Sequence, residues 1–129
     1  MLSNEHLNQL GGIILDAAIT VHKELGPGLL ESVYHFAMAK ELELREIISK
    51  QKVMVPLFYK GYDTGKYFEI DHLVEEEIIL EFKSVETLLQ VHKAQLITYL
   101  KLADKRLGYL INFNETLLKD GFKRVVYNF

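Results

Sequence analysis

Three consecutive glutamates, Glu75-Glu76-Glu77, separate two short segments, Lys66–Val74 and Ile78–Lys83. In the second, Ile78, Leu80 and Phe82 alternate with Ile79, Glu81 and Lys83, a period of two that suits a strand. Two strands joined by a charged tip form a hairpin, and the loop length then decides which face every side chain occupies. A slip of one residue would turn the whole strand over. With a three-residue loop, Val74 lies opposite Ile78, Leu73 opposite Ile79, and Asp71 opposite Glu81. Glu69 would then face Lys83. A loop of two or four residues would instead place Asp71 with Leu80, and burying a carboxylate among isoleucine and leucine is costly. The odd loop is expected.

The rest of the chain arranges itself around that hairpin. From Asn4 to Leu25, apolar residues recur at Leu7, Leu10, Ile14, Ala17, Ala18, Val21 and Leu25, which is helical spacing with Ser3 or Asn4 as N-cap. Gly26-Pro27-Gly28 stops this helix. A second helix is expected over Leu29–Glu46, burying Leu30, Val33, Tyr34, Ala37 and Leu44. Lys52–Tyr59 alternates as a strand, and Gly61-Tyr62-Asp63-Thr64-Gly65 reads as the turn before the next. Leu88–Ala103 follows as a third helix, Leu107–Phe113 as an apolar strand, and Phe122–Phe129 as a last one. The order ααβββαββ predicts an α/β fold of the mixed α+β kind, a mixed sheet flanked by helices.

At 129 residues the chain has the size of one ordinary domain, so a single domain over 1–129 is expected. Its 49% apolar and 26% charged residues are those of a globular protein, not a disordered one. There is no cysteine, which excludes disulfides and thiolate metal sites. No apolar run approaches the ~18 residues that span a bilayer, and the first residues have no signal-peptide pattern. A cytoplasmic protein with no membrane partner is the expectation. Net charge is −3, which does not advertise nucleic-acid binding, although residues 101–129 carry six Lys/Arg against three Asp/Glu.

The chemistry concentrates on the hairpin. Directly opposed strand residues have Cβ atoms about 4.5–5.5 Å apart, and two carboxylates that close repel unless a cation lies between them. Asp71 and Glu81, with the backbone carbonyl of Phe82, make an oxygen donor set suited to Mg²⁺ or Mn²⁺. Lys83 points to the same side as Glu81 and can orient a water or offset developing charge. The competing reading is an exposed strand face whose acids and lysine form ordinary surface ion pairs, worth little. Glu31 falls in the first turn of the second helix, where the dipole favours any carboxylate. Tyr34 is expected to pack with its hydroxyl hydrogen-bonded, and Gly28 to serve backbone geometry. On the third helix His92, Gln95 and Tyr99 share one side. Gln95 interrupts a stripe of Leu88, Val91, Thr98 and Leu102, and supports the carboxylates or bonds locally. His92 is expected to satisfy local hydrogen bonds, and His72, alternating away from Asp71, to be structural.

Asp71 and, ten positions on, Glu81-Phe82-Lys83 resemble the pattern of the PD-(D/E)XK nuclease superfamily, with Ile70 where the name has proline. Gly28-Leu29-Leu30-Glu31-Ser32-Val33-Tyr34 resembles the signature of the GxxExxY family within it. Val91–Leu96, Tyr99-Leu100-Lys101 and Leu110-Ile111-Asn112-Phe113 extend the likeness over nearly the whole chain. The resemblance implies a restriction-endonuclease-like core, Asp71 and Glu81 as metal ligands and Lys83 as the catalytic lysine. Glu31, Gln95 and Tyr99 would support them. Glu69 departs from the pattern, in which an arginine often stands two positions before the aspartate.

A metal-dependent nuclease acting on phosphodiester bonds of DNA or RNA is therefore the leading functional expectation. A homodimer would enlarge the surface available for gripping nucleic acid. The alternatives are a non-catalytic nucleic-acid-binding or protein-assembly module that keeps the fold, and a module for a small molecule or partner protein.

Overall fold

The computed structural model describes all residues from Met1 to Phe129. Helix α1 spans Asn4–Leu25, and Ser3 caps it by accepting the His6 amide at 3.1 Å. Every apolar position expected along α1 is buried except Leu25, which is partly covered. Its C-terminal Gly26 takes a positive φ of 73°, a left-handed-side angle that glycine reaches without strain.

Helix α2 covers Glu31–Leu44, two residues shorter at each end than the spacing suggests. Leu29 and Leu30 are held outside it because the Tyr34 hydroxyl accepts the Leu29 amide and donates to the Gly26 carbonyl. The buried stripe is Tyr34, Met38 and Leu42, at intervals of four. Of the expected core residues only Tyr34 is fully buried. Leu30 and Leu44 are 77% and 67% exposed, and Val33 is also exposed. Sequence spacing allowed a broad apolar face, whereas α2 touches its neighbours along a single narrow row.

Five strands follow: β1 Ser49–Tyr59, β2 Tyr62–Val74, β3 Ile78–Lys83, β4 Leu107–Asn112 and β5 Phe122–Val126. They lie in the order β1-β2-β3-β4-β5, antiparallel except for the parallel pair β3–β4. A parallel pair needs a crossover, and helix α3, Gln90–Ala103, supplies it. The mixed sheet thus has helices on both faces. Val74, Ile78, Leu80 and Phe82 pack with α1 and α2, while Ile70, Leu73, Ile79 and Leu110 pack with α3.

Two turns differ in kind. Glu75–Glu77 is the three-residue loop expected, with Val74 paired to Ile78 and Leu73 to Ile79. The turn placed over Gly61–Gly65 is tighter. Lys60 and Gly61, both at positive φ, close the hairpin directly between Tyr59 and Tyr62, the conformation of a two-residue type I′ loop. Asp63-Thr64-Gly65 is an irregularity inside β2, where Asp63 Oδ1 accepts the Gly65 amide at 2.8 Å. No helix is long and apolar enough to cross a membrane.

Candidate functional site

The β2–β3 ladder runs from Val74↔Ile78 to His72↔Leu80 and then stops. Beyond that point side chains replace backbone pairing. The Phe82 amide donates to Asp71 Oδ2 at 2.9 Å, and the Asp71 amide reaches Glu81 Oε1 at 3.4 Å. Asp71 and Glu81 are therefore neighbours, as the odd loop requires, but across strands that have parted rather than as a regular pair. A strand residue turns its amide and carbonyl to the same neighbouring strand. The Phe82 carbonyl consequently points into this opening, while the Lys83 carbonyl faces the other way and accepts the Phe113 amide at 3.0 Å.

Asp71 also marks a change of face. Ile70 and Leu73, three residues apart, both pack on the α3 side, whereas His72 stacks on Phe82 toward α2. The turnover swings the Asp71 carboxylate toward the β3 backbone and within reach of α2. There His35 Nε2 lies 3.2 Å from Glu31 Oε2 and 3.9 Å from Asp71 Oδ2. Glu31, His35, Lys52, Glu69 and Asp71 line a cleft of about 320 Å³ between α2 and the outer strands. His35 was not anticipated, although its place four residues after Glu31 put both on one helical face. The side-chain contacts between Glu31 and Asp71 across the cleft both run through that histidine.

The Gly28–Tyr34 segment has a division of labour. Gly28 adopts a φ of 92° in the turn. Tyr34 is buried, ties the turn to itself through its hydroxyl, and stacks on Phe113 at 4.6 Å. Those contacts place the first residue of α2, Glu31, at the cleft. Two further polar residues hold the chain just past Lys83. Ser84 Oγ donates to the Leu29 carbonyl at 2.9 Å, and buried Asn112 both accepts the Val85 amide and donates to its carbonyl. An asparagine ending an otherwise apolar strand was the available sequence signal.

Electrostatics favour a cation at the opening. Glu81 is 6% exposed. Its burial, followed by the charge of Asp71 and a hydrogen bond with it, pushes its pKa up to about 9. Lys83 acts weakly in the opposite direction. The paired acids thus retain a proton at neutral pH, and a cation can take that proton's place. The Asp71 and Phe82 amides donate to one oxygen of each carboxyl, so the pair keeps oxygens able to ligate once the proton between them is displaced. No three His, Asp or Glu side chains converge as a ready-made metal cluster. Two carboxylates and one carbonyl suit Mg²⁺, which keeps several of its waters.

The remaining expected residues divide. Tyr99 stacks on Phe68 at 4.4 Å, and its hydroxyl lies in the field of the pair: burial, then Glu81 and Asp71, raise its pKa. Lys83 is partly buried on β3 and forms no ion pair. Gln95 is exposed and makes no hydrogen bond, so it does not reach the carboxylates. The buried stripe of α3 is rotated from the expected one: Leu96 and Leu100 are buried, while Val91 and Leu102 are exposed. His92 closes the start of α3 by accepting the Leu89 amide at 3.0 Å, a local role as expected. His72 is fully buried with neither ring nitrogen hydrogen-bonded. The expected Glu69–Lys83 pairing does not form a ladder contact, because the strands have separated before it.

A mixed five-stranded sheet with paired carboxylates, and a lysine two residues beyond the second, defines an α/β protein of restriction-endonuclease-like architecture. A profile of the PD-(D/E)XK nuclease superfamily matches residues 8–125, and the chain belongs to that superfamily. Membership suggests nuclease activity, hence hydrolysis of nucleic acid, and its members generally use divalent metals such as Mg²⁺. No curated protein sequence matches the chain significantly.

Proposed function

We propose that the protein is a Mg²⁺- or Mn²⁺-dependent phosphodiesterase of the GxxExxY type, cleaving DNA or RNA. The observation that carries this reading is the bond from the Phe82 amide to Asp71 Oδ2, which locks Asp71 beside Glu81 in the opening between β2 and β3. Asp71, Glu81 and the Phe82 carbonyl would hold the cation. When bound, it would supply an activated water and offset charge developing on the phosphate. Lys83, free of ion pairs, orients the attacking water and stabilises negative charge on the phosphoryl oxygens. Glu31 fixes the His35 ring beside Asp71, and Tyr99 borders the pair from α3 with a hydroxyl kept protonated.

A route for the nucleic-acid chain is also supported. Lys93, Lys123 and Arg124 line a groove of about 450 Å³ beside the start of α3. Lys123 pairs with Leu110, which pairs with Glu81. Neighbouring strands lie about 4.8 Å apart, so Lys123 begins roughly 10 Å from Glu81 along that row. The basic C-terminal segment thereby contributes cations within a few nucleotides' reach of the acids.

Purified protein with Mn²⁺ is expected to cleave single- or double-stranded DNA or RNA, and Asp71→Ala to abolish the cleavage. Activity that survives Asp71→Ala, or no cleavage of any such substrate, sinks the reading. One observation favours a second reading, a module that binds nucleic acid without cutting it: Glu69 adds a third acid to the cleft of Glu31 and Asp71. Salt-sensitive binding with no turnover in Mn²⁺ would select it.

A further inference from the structure

Lys52 has a φ of +54° in the middle of an eleven-residue strand. L-residues other than glycine are strained there, and such residues persist only where surrounding structure enforces them. No residue is inserted at this point. Gln51 pairs with His72 and Val53 with Ile70 in unbroken register, and between them Lys52 and Asp71 are skipped. Both strands turn over together. Lys50, paired with Leu73, and Val53, paired with Ile70, lie on the α3 side although three residues apart, and their partners do the same. The turnover that swings Asp71 into the site is matched on β1 by this one lysine.

Conformation alone would call for glycine. A lysine in its place adds a long cationic side chain to a cleft that Glu31, Glu69 and Asp71 also line, with His35 between Glu31 and Asp71. It pairs with none of them: the side-chain contacts of Glu31 and Asp71 within the cleft go to His35. An exposed lysine lining this cleft, left unpaired by the protein, is available to an external anion.

Resting on the phosphodiesterase reading, we propose that Lys52 is a substrate-positioning residue. Its ammonium holds a backbone phosphate of the nucleic-acid chain next to the one at Asp71 and Glu81, and its left-handed backbone directs it there. Lys52 offsets Glu69 in the same cleft, so the phosphate meets a cation on the side away from Lys83.

Lys52→Gly separates the two roles, since glycine keeps the backbone and removes the ammonium. Binding of a labelled oligonucleotide is measured over a salt series in an Asp71→Asn background, where cleavage cannot interfere. Adding Lys52→Gly is expected to raise the unfolding midpoint, weaken binding about tenfold at low salt and lower the salt slope by about one. Lys52→Gln should show the same loss of slope, and Lys52→Arg should restore it. Unchanged affinity and slope in both Lys52→Gly and Lys52→Gln, with binding intact in the Asp71→Asn protein, overturn the role of Lys52 and leave the phosphodiesterase reading standing. If the Asp71→Asn protein binds neither single- nor double-stranded oligonucleotide, both fall.

Discussion

Two buried ionisable residues, each in the field of Asp71, act on stability in opposite senses. Glu81 is held protonated up to about 9, against 4.5 for an ordinary glutamate. Across that interval the folded protein binds more protons than the unfolded chain, so metal-free stability falls as pH rises. Glu81→Gln removes the slope. At pH 8 in chelator it is expected to stabilise by on the order of 1–2 kcal/mol, the scale of one poorly compensated buried group. Denaturant titrations at pH 6 and 9 test this, and an undiminished slope in the variant would refute it. His72 is the reverse case. Burial first, then the charge of His35, lowers its pKa to about 4, against a smaller opposing pull from Asp71. The unfolded chain therefore binds the extra proton, and stability is lost as pH falls from about 6.5 toward 4. His72→Phe keeps an aromatic ring between His35 and Phe82 and deletes two nitrogens without partners. It should gain about 1 kcal/mol at pH 7 and more at pH 5, read by the same titrations.

At the level of elements, adjacent glycines in α1 face opposite environments. A Cβ on Gly11 would lie 1.9 Å from the hydroxyl of Tyr109, a buried β4 residue stacked on Phe122, whereas Gly12 has nothing within 4 Å. Gly12→Ala is expected to stabilise by about 1 kcal/mol through helix propensity. Gly11→Ala gains the same propensity but forces helix and sheet apart, and should be net destabilising by about 1 kcal/mol. Thermal melts of the two variants should shift in opposite directions. The same docking explains why α1 and its cap were legible from spacing alone: a long helix with one continuous apolar face has only one way to lie on a sheet. Helices α2 and α3 were less legible because their apolar residues outnumber the positions their neighbours cover. Leu30, Leu44 and Val91 read as core candidates by hydropathy and stand in solvent.

Over the whole molecule, a cation at Asp71 and Glu81 would relieve the repulsion that burial creates. Mn²⁺ is expected to raise the thermal midpoint in proportion to RT ln(1 + [L]/Kd), more strongly at pH 8 than at pH 6, where Glu81 competes for its proton. Asp71→Asn should erase the shift, and equal shifts in both proteins would place the ion elsewhere. Much of this architecture was already written in local patterns. Period-two alternation and a three-glutamate loop set the β2–β3 register, and with it the nearness of Asp71 to Glu81, because a hairpin's pairing follows from a few consecutive residues. Other features came only with the assembled chain: His35 meeting Asp71, Gln95 turned to solvent, the ladder parting after His72, and the left-handed backbone at Lys52. Each depends on where an element distant in sequence comes to rest, and residue spacing along one strand or helix carries no information about that.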